Sequence, residues 1–235
     1  MDNYEDFIST VSHELRTPLT SIRGFSQTML NSWDKLDDES KQKFLKIIEE
    51  QSNRLIGLVE NMLSVTKLQC TNLILKEVSV KPVVNTIVSL IKNSYQNHQF
   101  FVEINENINK ILADRDKFQQ VLMNLVENAA KYSAENSHII ISAENCGDFV
   151  SIKVVSTGVG IDEADYERIF EKFSRVDNPL TRKVEGSGLG LFITKNLVEK
   201  MDGKIAVESE NGVTTFEVLM PVSNIEQQAR SKCAQ

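Results

Sequence analysis

A histidine lies in a helical pattern near the start of the chain, where it could act as a nucleophile. His13 follows Val11 by two residues and precedes Leu15 by two, and both apolar residues belong to a seam with alternating steps of three and four. If Ile8 takes heptad position a, His13 takes position f and faces solvent. An exposed neutral imidazole is a competent nucleophile near neutral pH.

Two neighbours of His13 could assist such a nucleophile. Glu14 is adjacent, and its carboxylate could accept a proton or fix the tautomer of the ring. Thr17 follows His13 by four residues on the same helix face, where its hydroxyl could orient a water molecule. A surface His-Glu pair by itself is more often part of a solvated face than of a site, so the pair needs support from its surroundings.

A second set of polar residues repeats along one face of a helix expected at about residues 114–132. Asn124, Asn128 and Lys131 are separated by steps of four and three, and apolar residues occupy the opposite face. Amide oxygens suit Mg²⁺, which prefers oxygen ligands and keeps its waters, and lysine neutralises phosphate charge. The alternative for this pattern in isolation is a solvated helix face.

Two glycine-rich stretches lie further along the chain. Residues 156–161 read Ser-Thr-Gly-Val-Gly-Ile and end an apolar strand, and residues 185–190 read Glu-Gly-Ser-Gly-Leu-Gly immediately before a helix. Glycine permits positive φ and close approach of a ligand to the backbone, and the amides at a helix N-terminus bind phosphate. Ordinary turns would explain either stretch about as well, and neither a Walker A nor a Rossmann fingerprint is present.

The histidine needs a long helix, and residues 1–68 contain two. The seam positions are Ile8, Val11, Leu15, Pro18, Ile22, Phe25 and Met29 in the first, and Phe44, Ile48, Gln51, Leu55, Leu58, Met62 and Val65 in the second. We expect a turn over Asn31–Ser40, with Ser40, Asp37 or Asp38 capping the second helix. Two such hairpins can enclose a core as a four-helix bundle, so we expect a homodimer. The alternative is that the hairpin packs on the rest of the chain.

After a linker at Gln69–Asn72, residues 73–222 change to short β-rich runs separated by helical patterns. We expect strands at Leu73–Val78, Phe100–Ile104, His138–Ala143, Phe149–Val155, Lys204–Glu208 and Thr214–Leu219. The helical patterns cover 80–96, 115–131, 163–171 and 190–201. Because the strands cluster partly in neighbouring pairs, this part is an α+β layer domain. Residues 223–235 form a polar tail that we expect to fray.

The composition is that of an ordinary globular protein. The chain has 235 residues, of which 41% are hydrophobic and 25% charged, and its net charge of −7 argues against a nucleic-acid-binding surface. No apolar run approaches the roughly 20 residues of a membrane span, and the start lacks a signal-peptide pattern. The three cysteines are far apart and form no CxxC pair, so we expect reduced thiols in the cytoplasm. We expect any membrane attachment to use a segment absent from this chain.

Together these motifs resemble one protein family. The string Phe7–Thr20, which contains Ser-His-Glu-Leu-Arg-Thr-Pro, is similar to the phosphoacceptor box of sensor histidine kinases. The asparagine helix, the first glycine stretch, the Phe170/Phe173 pair, the second glycine stretch and Thr214-Thr215-Phe216 resemble, in order, the N, G1, F and G2 boxes and closing strand of the ATP-binding domain of that family. The resemblance implies a dimerisation hairpin followed by an α/β sandwich with a mixed sheet, and a flexible lid at roughly Ser174–Ser187.

The resemblance also implies a role for individual residues, with ATP and Mg²⁺ as cofactors. His13 would accept the phosphoryl group, and Asn128 would bind magnesium with Asn124 as its partner. Lys131 and Tyr132 would flank the nucleotide. The remaining nucleotide contacts would come from Ser156, Gly158, Gly160, Arg175, Gly186, Gly188, Leu189 and Gly190, with Arg175 facing phosphate. Related ATPases have a water-activating glutamate where Asn124 stands, and an amide cannot act as that base.

Ser156 departs from the family pattern, which usually has an aspartate that accepts a hydrogen bond from the adenine amino group. Serine is shorter and neutral, so we expect ATP binding about ten- to a hundredfold weaker than in an aspartate-bearing relative. Base discrimination should also loosen, because a hydroxyl can donate as well as accept. The alternative is that Thr157 or another neighbour has taken over this role.

The function implied is ATP-dependent autophosphorylation of His13, followed by transfer to an aspartate in the receiver domain of a response regulator. Glu14 and Thr17 would also support dephosphorylation of that regulator. Two alternatives stay open. A degenerate kinase could act mainly as a regulator phosphatase, which Ser156 favours, or a non-catalytic dimeric scaffold could bind regulators through the hairpin alone.

Overall fold

The computed structural model describes residues 2–68, 72–174 and 188–223, with the side chains of residues 2–10, 13, 61 and 64–68 left aside. The chain divides into two compact units, Met1–Lys67 and Leu68–Gln235. The first is helical and the second combines helices with a mixed sheet, which confirms the fold class predicted from the sequence. In the described part of the chain, no helix combines the length and the apolarity needed to span a membrane.

The first unit is a hairpin of helix α1 (Asp2–Ser32) and helix α2 (Asp38–Leu68). A short 3-10 helix, Trp33–Lys35, joins them, so the turn is shorter than the ten residues predicted. Of the three candidate caps, Asp37 accepts a hydrogen bond at 2.7 Å from the backbone N–H of Ser40. This bond holds the pKa of the Asp37 carboxyl below its usual value.

The seam positions of the hairpin pack α1 against α2. Met29 and Leu58 are buried, and the rings of Phe25 and Phe44 lie 5.1 Å apart. A second set of apolar side chains lies outside this seam and remains largely exposed in the single chain. Its members are Leu19, Leu30, Leu45, Ile56, Val59 and Leu63, which are between 42% and 81% exposed. The hairpin therefore has more apolar surface than its own seam covers.

The second unit is built on a five-stranded sheet. Its strands are β2 (Gln99–Ile104), β4 (His138–Cys146), β5 (Phe149–Thr157), β6 (Lys204–Glu210) and β7 (Val213–Pro221), in the order β2-β4-β5-β7-β6. Only the β2–β4 pair is parallel. A separate antiparallel pair joins β1 (Lys76–Val78) to β3 (Ile111–Ala113).

Three helices pack on one face of this sheet. They are α3 (Val80–Ile91), α4 (Arg115–Tyr132) and α5 (Gly190–Lys200), and α4 contacts both of the others. Alternate residues of the strands point toward these helices and form the core. On the opposite face, Lys153 lies between the carboxylates of Glu144 and Glu217. The hydrogen bond to Glu144, followed by the charges of both carboxylates, raises the pKa of Lys153.

Several sequence-based boundaries were wrong. The helix predicted at 163–171 is instead two 3-10 turns, Glu163–Asp165 and Arg168–Phe170, and Asp162 caps the first by accepting from the N–H of Ala164. The helix predicted at 80–96 ends at Ile91. Strand β3 was not predicted, because three residues are too few to show an alternating pattern.

Asp114 fixes the start of α4, the helix that carries the two asparagines. Its Oδ1 accepts from the N–H of Lys117 at 3.2 Å and its Oδ2 accepts from the N–H of Ile74 at 3.0 Å. The first bond is a helix N-cap. The second uses the backbone of Ile74 and explains why β1 begins at Lys76, later than predicted. One carboxylate therefore connects α4 to the segment that enters the second unit.

Candidate functional site

Asn124 connects α4 to α5. Its Nδ2 donates to the carbonyl of Gly190 and to Oγ1 of the fully buried Thr194, each at 3.3 Å. Both bonds use the nitrogen and leave Oδ1 as an acceptor. Asn124 therefore holds the second glycine stretch next to α4 while keeping an oxygen for a ligand.

Asn128 lies one turn further along α4 and is half-buried. Its side chain makes no hydrogen bond to any other residue that the structure describes. A half-buried amide without an internal partner suits a bound ligand, because its oxygen is already held in place. The donor set of Asn128 and Asn124, two neutral oxygens, fits a magnesium ion that keeps waters and phosphate oxygens as its other ligands.

Lys131 forms an ion pair with Glu127 on the next turn of α4, with Nζ and Oε2 3.5 Å apart. Both side chains are partly exposed, so the pair is weak and leaves Lys131 able to turn toward a phosphate. Glu127 also influences Tyr95, which lies four residues beyond the end of α3. Burial and, second, the charge of Glu127 raise the pKa of the Tyr95 hydroxyl.

The first glycine stretch packs on the C-terminal end of α4. The N–H of Val159 donates to the carbonyl of Tyr132, and the N–H of Gly158 donates to the carbonyl of Gly212 at 2.8 Å. A Cβ atom on Gly158 would lie 2.1 Å from the oxygen of Tyr132 and 2.7 Å from Cα of Ser133. Only glycine fits this contact.

The described end of the second glycine stretch, residues 188–190, packs against the Phe173 backbone and against α4. Gly188 has a φ of +65°, and a Cβ there would lie 2.7 Å from the carbonyl carbon of Phe173. Leu189 is fully buried and Gly190 begins α5, next to Asn124. Of the other predicted contacts, Arg175 and Gly186, with the lid beyond Ser174, lie outside the described residues.

Ser156 ends the row of inward-facing residues on β5 and is only 8% exposed. Its neighbour on β7 is Thr214, also 8% exposed, and Thr214 in turn pairs with Ser209 on β6. Thr157, considered above as a substitute for the missing aspartate, is exposed. The hydroxyl that accompanies Ser156 on the buried face of the sheet is therefore that of Thr214.

Sequence reasoning missed Ser209 and Tyr166, which support the first glycine stretch. Ser209 Oγ accepts from the N–H of Ile161 at 3.0 Å and lies 2.9 Å from Thr214 Oγ1. The Tyr166 hydroxyl accepts from the N–H of Ser209 and donates to its carbonyl. The available signal was the strand pattern, because Ser209 takes the last inward position after Ile205 and Val207.

In the first unit, His13 lies on α1, and its side chain is outside the described residues. Glu14 forms an ion pair with Arg54 of α2, with an oxygen–nitrogen distance of 3.5 Å, and both side chains are mostly buried. The Glu14 carboxylate is therefore held toward α2. Thr17 is exposed on α1.

Two family models match the chain, one on each unit. Residues 4–71 match the His Kinase A (phospho-acceptor) domain, and residues 113–224 match the histidine kinase-, DNA gyrase B- and HSP90-like ATPase domain. The chain belongs to the histidine kinase family. Its relatives include the signal transduction histidine-protein kinase ArlS of Staphylococcus haemolyticus, 34% identical over 91% of this chain. The sensor protein SrrB of Staphylococcus aureus is 32% identical over 92% of it.

Solved histidine kinases share the fold. ThkA, in complex with the response regulator protein TrrA, is 28% identical with a TM-score of 0.75, and the match covers 93% of this chain and 61% of that one. Full-length ShkA in complex with AMPPNP is 27% identical with a TM-score of 0.68, over 92% of this chain and 46% of that one. The chain spans 48% of the length of ArlS and 38% of SrrB, so it corresponds to about half or less of these relatives.

The packing of Gly158 in this histidine kinase gives a testable prediction. Gly158→Ala should lower the free energy of unfolding by about 1–3 kcal/mol, because the added methyl meets backbone atoms that cannot move aside. Gly190→Ala is the matched control, since its Cβ would meet only ordinary contacts at 3.8–3.9 Å. Thermal unfolding followed by circular dichroism measures both, and equal stability of the two variants would contradict the contact described.

Proposed function

We propose that this chain is the catalytic core of a sensor histidine kinase that acts in the cytoplasm. It phosphorylates itself on His13 with ATP and passes the phosphoryl group to an aspartate in the receiver domain of a response regulator. The observation that supports this most is the position of α4. This helix contacts one glycine stretch through Asn124 and Gly190, and the other through Tyr132 and Gly158. The AMPPNP complex of ShkA and the regulator complex of ThkA are consistent with this proposal.

Residues of α4 and the two glycine stretches would hold the nucleotide. Asn128, with Asn124, would bind the magnesium ion, which would supply positive charge to the phosphates. Lys131 would add a second cation after leaving Glu127. The backbone around Gly188 and Gly190 at the start of α5 would donate N–H groups to phosphate oxygens. Tyr132, Ser156, Gly158 and Gly160 would surround the base.

The transfer step uses the imidazole of His13 as the nucleophile. One ring nitrogen forms a bond to the γ-phosphorus of ATP while the bond from that phosphorus to the bridging oxygen breaks, and ADP leaves with the electron pair. Glu14, which is paired with Arg54 of α2, would accept the proton of the other ring nitrogen after its carboxylate leaves Arg54. Asn124 lacks a basic carboxylate to activate water, so transfer to the histidine is favoured over hydrolysis.

The phosphoacceptor assignment predicts the result of a labelling experiment. His13→Gln should abolish covalent labelling by γ-labelled ATP, because glutamine has no nucleophilic ring nitrogen, while nucleotide binding should persist. The labelled residue is mapped by mass spectrometry under alkaline conditions. Labelling that survives, or that maps to His98 or His138, would contradict the assignment.

The magnesium assignment predicts a different pattern. Asn128→Ala should weaken Mg²⁺-dependent ATP binding by about tenfold or more and suppress labelling, because the amide oxygen is lost from the ion. Gln119→Ala is the control, since Gln119 is a half-buried amide two and a half turns earlier and therefore on the opposite side of α4. Calorimetry with and without Mg²⁺ measures the effect. Equal Mg²⁺-dependent affinities in both variants would make Asn128 part of a solvated face.

We also propose that the active species is a homodimer formed by the hairpin. The exposed apolar stripe of α1 and α2 continues outside the seam, and Ile56 and Val59 on α2 are 56% and 42% exposed. Large exposed apolar surfaces on a helix commonly mark an interface. A second hairpin placed on this stripe would complete a four-helix bundle.

This proposal predicts that charge on the stripe separates the protomers. The double substitution Ile56→Glu and Val59→Glu should convert the dimer to a monomer, because two carboxylates cannot be buried unpaired in the bundle core. Leu90→Glu is the control, since Leu90 is 54% exposed on α3 of the second unit. Light scattering at matched concentrations measures the mass. A double variant that stays dimeric would show that other residues hold the dimer.

Ser156 favours a second candidate function, in which the chain acts mainly as a phosphatase of its regulator. A neutral hydroxyl in place of the expected carboxylate lowers the affinity for adenine and therefore the rate of labelling. The same γ-labelled ATP distinguishes the two functions. The kinase labels itself, whereas the phosphatase remains unlabelled and removes phosphate from a phosphorylated regulator.

A further inference from the structure

Three hydroxyl-bearing residues form a row across the end of the sheet. Ser156 on β5 is paired with Thr214 on β7, and Thr214 is paired with Ser209 on β6. Each takes the inward position of its strand nearest the first glycine stretch, and the other inward positions of β6 and β7 and most of those of β5 are apolar. The row therefore lies at the base of the nucleotide site proposed above.

The hydrogen bonds of Ser209 favour one direction for its own hydroxyl, which is donation to Thr214. Its oxygen accepts a hydrogen bond from the backbone N–H of Ile161, which can only donate. The other described contact of this hydroxyl is Thr214 Oγ1 at 2.9 Å. If Ser209 donates to Thr214, the hydrogen of Ser209 has an internal acceptor and the hydrogen of Thr214 is left for a ligand. In the reverse direction, the hydrogen of Ser209 would have no acceptor among the described residues. Tyr166 holds Ser209 in place by bonding both its N–H and its carbonyl.

The hydrogens of the other two hydroxyls have no acceptor in the described part of the chain. With Ser209 as the donor, the hydrogen of Thr214 points elsewhere. Ser156 is more than nine-tenths buried, and its hydroxyl makes no hydrogen bond to a described residue. This hydroxyl also differs from those of Ser137 and Ser174, which are completely enclosed. A buried hydroxyl that is open on one side and unpaired is positioned for a ligand.

The geometry points to a base site that takes 6-oxopurines as well as adenine, because Ser209 makes the floor of the site a hydrogen-bond donor. This inference rests on the proposed nucleotide binding and defines its substrate class. The hydroxyls of Thr214 and Ser156 can donate to the O6 atom of guanine or hypoxanthine, and Ser156 can accept from the N1–H of those bases. With adenine, the same hydroxyls can donate to N1 and accept from the 6-amino group. Ser209 acts as a positioning residue through Thr214.

The test compares ATP with ITP, which has the same sugar and triphosphate and differs in the base only at position 6 and in the N1 hydrogen. Calorimetry on the whole chain with Mg²⁺ gives the two dissociation constants. We expect their ratio to lie within about threefold of one, since one neutral hydrogen bond is worth about fivefold in affinity. GTP serves as a second 6-oxopurine.

Variants test the role of Ser209 separately from that of the turn it supports. Ser209→Ala should shift the ratio toward ATP by about three- to tenfold, because the hydrogen of Thr214 is then no longer directed at the base. Ser209→Thr, which keeps the hydroxyl, should have the same ratio as the parent protein. Ser156→Asp should raise the preference for ATP by about tenfold or more, since a carboxylate only accepts. Thr215→Val, on the opposite face of β7, should leave the ratio unchanged.

The ratio of the two dissociation constants distinguishes positioning from structural damage. A displaced turn would weaken the binding of ATP and ITP alike, so its effect cancels in the ratio. A parent protein that prefers ATP over ITP by more than about tenfold would overturn the inference while leaving ATP binding intact. An unchanged ratio in Ser209→Ala would do the same. A parent that binds neither nucleotide would overturn the proposed function, and this inference with it.

Discussion

The second unit depends on one constraint, which is that α4 must pack its apolar face on the sheet while its two half-buried amides flank that face. Phe118, Val121 and Leu125 are fully buried and fix the rotation of the helix. Asp114 fixes its start by capping it. Rotation and start together determine where Asn124 and Asn128 point, because side chains along a helix follow at fixed angles. The catalytic geometry is therefore a consequence of core packing.

Both glycine stretches are positioned by their contacts with this helix, in addition to the positive φ of Gly160 and Gly188. The first lies so close to the last turn of α4 that a methyl group would overlap Tyr132. The second is held by the amide of Asn124. Asn124, which the sequence suggests as a metal ligand, therefore also joins α4 to α5 by hydrogen bonds. A substitution of Asn124 would change both the ligand set and the position of α5. Asn128 has no such bond in the described part of the chain and reports on ligand binding more directly.

The row of hydroxyls shows how a sheet can contribute to a binding site without loops. A hydroxyl buried without a partner costs roughly 1–3 kcal/mol, so three adjacent hydroxyls at inward positions need an explanation. Ser209 is satisfied by Ile161, Tyr166 and Thr214, while the hydrogen of Thr214 is left to the ligand. Ser156 is left to the ligand. In the hairpin, the surface that the seam leaves uncovered is apolar, and a second hairpin would cover it.

The sequence by itself determined the family, the helical hairpin, the mixed sheet and the helix that carries the asparagines, because heptad spacing, strand alternation and linear motifs are all local. The cap at Asp37 was among the three alternatives that the sequence left open. Tertiary structure decided the rest. Strand β3 exists because β1 pairs with it, and the 163–170 segment forms 3-10 turns where the local pattern favoured an α-helix. The pairing of Ser156 with Thr214, 58 positions away, and through it the alignment with Ser209, depends on strand order and register, which leave no signal in any single segment.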